Sequence, residues 1–100
     1  MPYVVQLKKR NQRMPEVSRF FGIIIRMFFV RADHNPPHFH AYYGDDSAVF
    51  AIDTLEMLKG KLSPRVKGMI VEWAEMHKKE LKENWELLKK DEYKKIKPLS

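Results

Sequence analysis

Apolar positions in this chain follow two different rhythms. Between residues 20 and 30 they are nearly continuous, with Phe20, Phe21, Ile23, Ile24, Ile25, Met27, Phe28, Phe29 and Val30 interrupted only by Gly22 and Arg26. Such β-branched and aromatic composition predicts a strand over 20–30. Both of its faces are apolar apart from Arg26, so both should be covered. A loop over 31–37 follows, stiffened by Pro36-Pro37, which forces Asn35 out of helical geometry. Residues 38–43 predict a second strand, closed by a turn at Gly44-Asp45-Asp46. Residues 47–52 predict a third strand, and 54–58 a short fourth before Gly60.

From Ser63 the rhythm becomes helical. Ser63 can accept free amide hydrogen bonds and Pro64 suits the first helical position. At about 100° per residue, Val66, Met69, Ile70, Trp73, Leu81 and Leu88 share one stripe, with Trp85 at its edge. The expected helix runs continuously to about Lys90, and residues 93–99 form a basic extended tail. Two polar residues, His77 and Asn84, lie at the centre of the stripe. The predicted fold is α+β: a three- or four-stranded antiparallel sheet followed by one long C-terminal helix packed on one face. One helix covers only one face, so the other should meet the N-terminal arm, the tail, a partner or a second copy of the chain.

Composition narrows the chemistry. With 100 residues, 44% of them hydrophobic, the chain is one domain with a real core. It has no cysteine, which excludes thiolate catalysis, disulfides and cysteine–zinc sites. There is no bilayer-spanning run and no signal-peptide pattern, so a cytoplasmic location is expected, with no membrane partner. The net charge of +6 is uneven: residues 1–19 carry +4, residues 20–58 carry −3 and residues 59–100 carry +5. Residues 1–13 have no apolar period around Lys8, Lys9, Arg10 and Arg13, and read as a flexible basic extension to a single domain over 14–100. Removing them lowers the charge from +6 to +2.

Candidate chemistry concentrates in the turn His34-Asn35-Pro36-Pro37-His38-Phe39-His40, which holds three of the four histidines. On a strand, His38 and His40 face the same way, with Tyr42 beyond them. Their imidazoles, with His34 folded back across the two prolines and His77 from the helix, form a candidate ligand set for a divalent transition metal, with Asp33 close by. The same histidines can instead act as acid, base or phosphate donors, with Arg26 assisting. Arg26, the one charge in its strand, is read either as paired with a carboxylate such as Asp53 or as aimed at an anionic ligand. Three bland alternatives stand beside these. Turn histidines can simply bond loop carbonyls, His77 can be a satisfied core residue, and Trp73 and Trp85 can be packing residues. There is no phosphate-cradling glycine loop, nucleophile elbow or His-Glu-x-x-His pair.

Several strings taken together resemble a family of small bacterial proteins classed only as a domain of unknown function. They are Ser18-Arg19-Phe20-Phe21-Gly22-Ile23, Asp33-His34-Asn35-Pro36-Pro37-His38-Phe39-His40-Ala41, Glu72-Trp73-Ala74-Glu75, His77, Asn84-Trp85 and Lys95-Ile96-Lys97-Pro98-Leu99. The resemblance covers about residues 14–99. It implies that residues 1–13 precede the usual start near Met14, and that the protein is encoded beside another small protein in a toxin–antitoxin-like layout. It marks His34, Asn35, His38, His40, Trp73, His77 and Asn84 as positions to follow. The expected partners are the small protein encoded next door or a second copy, with RNA as a further candidate. The competing readings are a histidine-ligated metal protein of metallohydrolase type and a non-enzymatic interaction module.

Overall fold

The computed structural model describes residues 4–6, 15–28 and 36–100. Five strands form one antiparallel meander in the order β2 (Glu16–Phe20), β3 (Ile23–Arg26), β4 (His38–Tyr43), β5 (Asp46–Ala51), β6 (Met57–Gly60). A separate two-stranded sheet pairs β1 (Val4–Gln6) with β7 (Glu92–Lys94). Two helices, α1 (Pro64–Met76) and α2 (Lys78–Leu88), lie between β6 and β7.

The α+β class holds, but the sheet has five strands and there are two helices, in place of the expected three- or four-stranded sheet with one long helix. The first correction lies in the apolar run over 20–30. Phe21 and Gly22 take left-handed backbone angles, φ 49° and 81°, and turn the chain so that Phe20 faces Ile23 across a hairpin. Composition cannot reveal this turn, because phenylalanine favours strands and only Gly22 hints at it. The second correction is at His77, whose angles of φ −124° and ψ 22° leave the helical region for one residue. Its N–H still donates to the Ala74 carbonyl, and its own carbonyl accepts from Leu81. Because the helical register resumes at once, the apolar stripe passes through the break undisturbed. The third is β7, which turns the start of the expected tail into a paired strand.

One face of the sheet is the core. Ile23, Ile25, Met27, Phe39, Ala41, Phe50 and Ile52 project from it and are buried, as are Val66, Ile70, Trp73 and Ala74 of α1 and Leu81, Trp85 and Leu88 of α2. Phe39 and Phe50 stack across β4 and β5 at 5.4 Å, and Trp73 meets Phe39 edge-on at 5.9 Å. Ser63 caps α1 through its Oγ, which accepts from Val66 N–H at 3.3 Å, with Pro64 in the first turn. From the end of β7 onward the chain is held from inside. The fully buried Asn84 donates to the Lys94 carbonyl and accepts from the Lys94 N–H, both at 2.8 Å. Trp73 Nε1 donates to the Lys97 carbonyl at 2.9 Å, and Ile96 N–H reaches Val17 on the edge of β2.

Candidate functional site

The opposite, outer face of the sheet carries the polar residues that the sequence singled out. Strand alternation sends Phe39 and Ala41 into the core, so His38, His40 and Tyr42 project outwards from β4. Registers place Arg26 beside His40, His40 beside Val49 and Val49 beside Lys59, a single row across β3, β4, β5 and β6. A second row sets Ile24, Tyr42 and Ser47 side by side. Ile24, Arg26, Phe28, His40, Tyr42 and Val49 are all half-buried, unlike their inward neighbours.

The two strand histidines come together, with ring centroids 5.3 Å apart. Their surroundings differ. His38 is buried against Trp85 at 5.1 Å, so α2 closes that end of the sheet. Its Nδ1 donates to the Pro36 carbonyl at 2.9 Å. A carbonyl can only accept, so Nδ1 carries the proton, and in the neutral ring Nε2 holds the lone pair. His40 lies against Phe28 at 5.0 Å, and its Nε2 is buried with no hydrogen-bond partner among the described residues. Burial, then the neighbouring His38, then Lys59 push its pKa down from 6.5 to about 4, leaving the ring neutral at ordinary pH.

His77 is placed elsewhere. Its ring packs on Trp73 at 5.6 Å and its Nδ1 pairs with Glu80, at the junction of α1 and α2. His34 and Asp33 lie outside the described residues, as does Asn35. Among the described residues, no three histidine, aspartate or glutamate side chains converge as a metal site. Asp53, the suggested partner of Arg26, is exposed and pairs with Lys82 at 2.9 Å. Of the described acids near the histidines in the sequence, Asp45 and Asp46 sit at the β4–β5 hairpin and Asp53 is with Lys82, while the row through His40 carries Arg26 and Lys59. Glu16, across from Arg26, is bound by Arg19 through two short contacts, and this holds its carboxyl below the usual range.

Alternation placed Tyr42 on the face of His38 and His40, but sequence reasoning missed Lys59 as a neighbour of His40 on that face. Only strand register reveals it, because Lys59 is nineteen positions away in sequence and two strands away in space. A depression of about 450 Å³ lies elsewhere, lined by Glu83, Glu86, Lys89 and Lys90 of α2 and its end together with Lys94. It is open, alternates in charge and gathers none of the histidines.

Among the described residues, no helix is long and apolar enough to cross a membrane. No curated protein and no solved structure matches the chain. One family model does match, over residues 22–86, from the β2–β3 turn through most of α2. It takes in the outer row, both strand histidines, Trp73, His77 and Asn84, and on that match the chain belongs to the family described as Domain of unknown function (DUF4160).

Proposed function

We propose that this chain binds RNA through the outer face of its sheet, as one member of a toxin–antitoxin-like pair controlled by a small partner protein. The observation that carries the reading is the cross-strand row Arg26–His40–Val49–Lys59, flanked on the same face by Phe28 and Tyr42. Cationic side chains interleaved with aromatic rings on a half-buried antiparallel sheet suit an anionic, base-bearing polymer. They suit a metal cation poorly, because Arg26 and Lys59 would repel it. His40 contributes as a neutral ring, so the charge that meets phosphate comes from Lys59 and its basic neighbours.

The test is fluorescence anisotropy with short labelled RNA at about 50 mM salt, followed by titration with salt. Affinity should fall linearly with the logarithm of salt concentration, and Lys59→Glu should weaken binding about five- to tenfold. Complete absence of binding at the lowest salt, with the protein folded and its small partner removed, would rule the reading out.

A further inference from the structure

The small sheet joins segments from opposite ends of the sequence. β1 pairs antiparallel with β7 in the register Val4↔Lys94, Val5↔Tyr93 and Gln6↔Glu92. Both strands lie outside the residues that the family model matches, and the five-stranded sheet contains neither. On its other side β7 faces the molecule: Lys94 bonds the Asn84 amide through both its N–H and its carbonyl, and Ile96 N–H reaches Val17. Backbone groups alternate in direction along a strand, so the N–H and carbonyl of Tyr93 point the opposite way, at Val5. β1 therefore closes an edge that α2 and β2 leave open. We infer that this edge of β7 is a strand-addition site, which the chain's own residues 4–6 fill here and which an acidic extended segment of the small partner takes over. That docking rests on the pairing with a small partner proposed above.

The chemistry of the two sides selects the occupant. The strand that fills the edge is three residues long, and β7 is the element it packs against. Its hold is therefore a few backbone hydrogen bonds plus the tether through residues 7–15. A tethered strand competes with a free one at an effective concentration on the order of 1 mM. Charge works against the resident strand. Residues 7–13 carry Lys8, Lys9, Arg10 and Arg13 with no acid, and residues 89–97 carry five lysines against Asp91 and Glu92. The β1–β7 pair thus ties together two stretches of like charge, whereas a segment with aspartates or glutamates beside its strand residues brings the opposite sign. Added strands draw affinity from main-chain bonds, which any sequence supplies, so flanking charge is left to choose the partner.

The experiment uses the full chain, unaltered and as Val5→Pro, which removes the N–H that faces the Tyr93 carbonyl. The probes are two labelled peptides, Tyr-Val-Val-Gln flanked at each end by two glutamates or by two lysines. By fluorescence anisotropy, Val5→Pro should bind the glutamate peptide at least ~10-fold more tightly than the unaltered chain does, and the lysine peptide ~10-fold more weakly than the glutamate one. Amide exchange at Tyr93 should quicken ~10-fold in Val5→Pro and slow again with the glutamate peptide bound, while the Lys94 amide, bonded to Asn84, stays protected throughout. No binding by Val5→Pro at about 1 mM peptide overturns the site. Equal binding of both peptides overturns the acidic occupant, and self-association of Val5→Pro that protects Tyr93 without peptide gives the edge to a second copy instead. Should Val5→Pro fail to fold, a shift of the Tyr93 amide resonance in the unaltered chain on adding the glutamate peptide upholds the site, and no shift overturns it. RNA binding and co-expression are each measured without a peptide, so those readings and the strand site fail separately.

Discussion

At the scale of single residues, the two polar side chains in the helical stripe have unlike fates. Asn84 acts as a surrogate strand, its amide closing both hydrogen bonds that a neighbouring backbone would give Lys94. Asn84→Ala leaves a donor and an acceptor unpaired in the interior and should cost about 2 kcal/mol or more, read from the midpoint of urea unfolding. His40 makes a different prediction, in pH. Its folded pKa of about 4 lies below the unfolded value of 6.5. Between these values the unfolded chain holds the extra proton, so the stability His40 contributes is whole above about pH 6.5 and declines as pH falls towards 4. Discounted for a ring that is only half-buried, the decline amounts to roughly 1–2 kcal/mol. Urea midpoints at several pH values should show it, and His40→Gln should flatten the slope.

At the scale of elements, the β2–β3 turn is a strained local choice. Phe21 is exposed and has φ 49°, a conformation that a bulky residue adopts at a cost, while Gly22 at φ 81° suits its place. Phe21→Asn supplies the Asn-Gly pair that such turns favour and should raise stability by about 0.5–1 kcal/mol, measured by thermal unfolding. Gly60 is the reverse case. With φ 101°, an added Cβ would collide with the Ser47 backbone, so Gly60→Ala should destabilise by about 2 kcal/mol or more.

The elements also separate what was legible in the sequence from what was not. Residues 38–43 were readable as a strand because Pro37 precedes them, Gly44 follows and β-formers fill the middle. The start of α1 was readable because Ser63-Pro64 is a local signal. The hairpin within 20–30 was hidden because Phe21 resembles a strand residue. The break at His77 was hidden because a one-residue departure leaves the helical stripe in phase on both sides. For the site, the shared face of His38 and His40 followed from alternation alone. The company they keep did not, since Lys59 reaches His40 only through the pairing of three strands.

At the scale of the whole molecule, position should matter more than total charge. Lys59→Glu and Lys79→Glu change the net charge equally, yet Lys59 is on the outer row and Lys79 is on an exposed turn of α2. Only Lys59→Glu should reduce RNA affinity and lower the salt slope by about one unit, as anisotropy across a salt series would show. The proposed pairing predicts that co-expression with a small protein encoded next door yields a complex that purifies intact.

The anchoring of residues 93–97 also has a consequence for how the protein is made. Its core is completed by a segment that follows everything it stabilises: Asn84 waits for Lys94, Trp73 for Lys97 and the edge of β2 for Ile96. While residues 93–97 remain inside the ribosome, the sheet and both helices can assemble, but a buried amide and an indole N–H lack their partners. Packing of the helices and of the β2 edge therefore stays incomplete until residues 93–97 have emerged, and until then the nascent protein is exposed to chaperones and proteases.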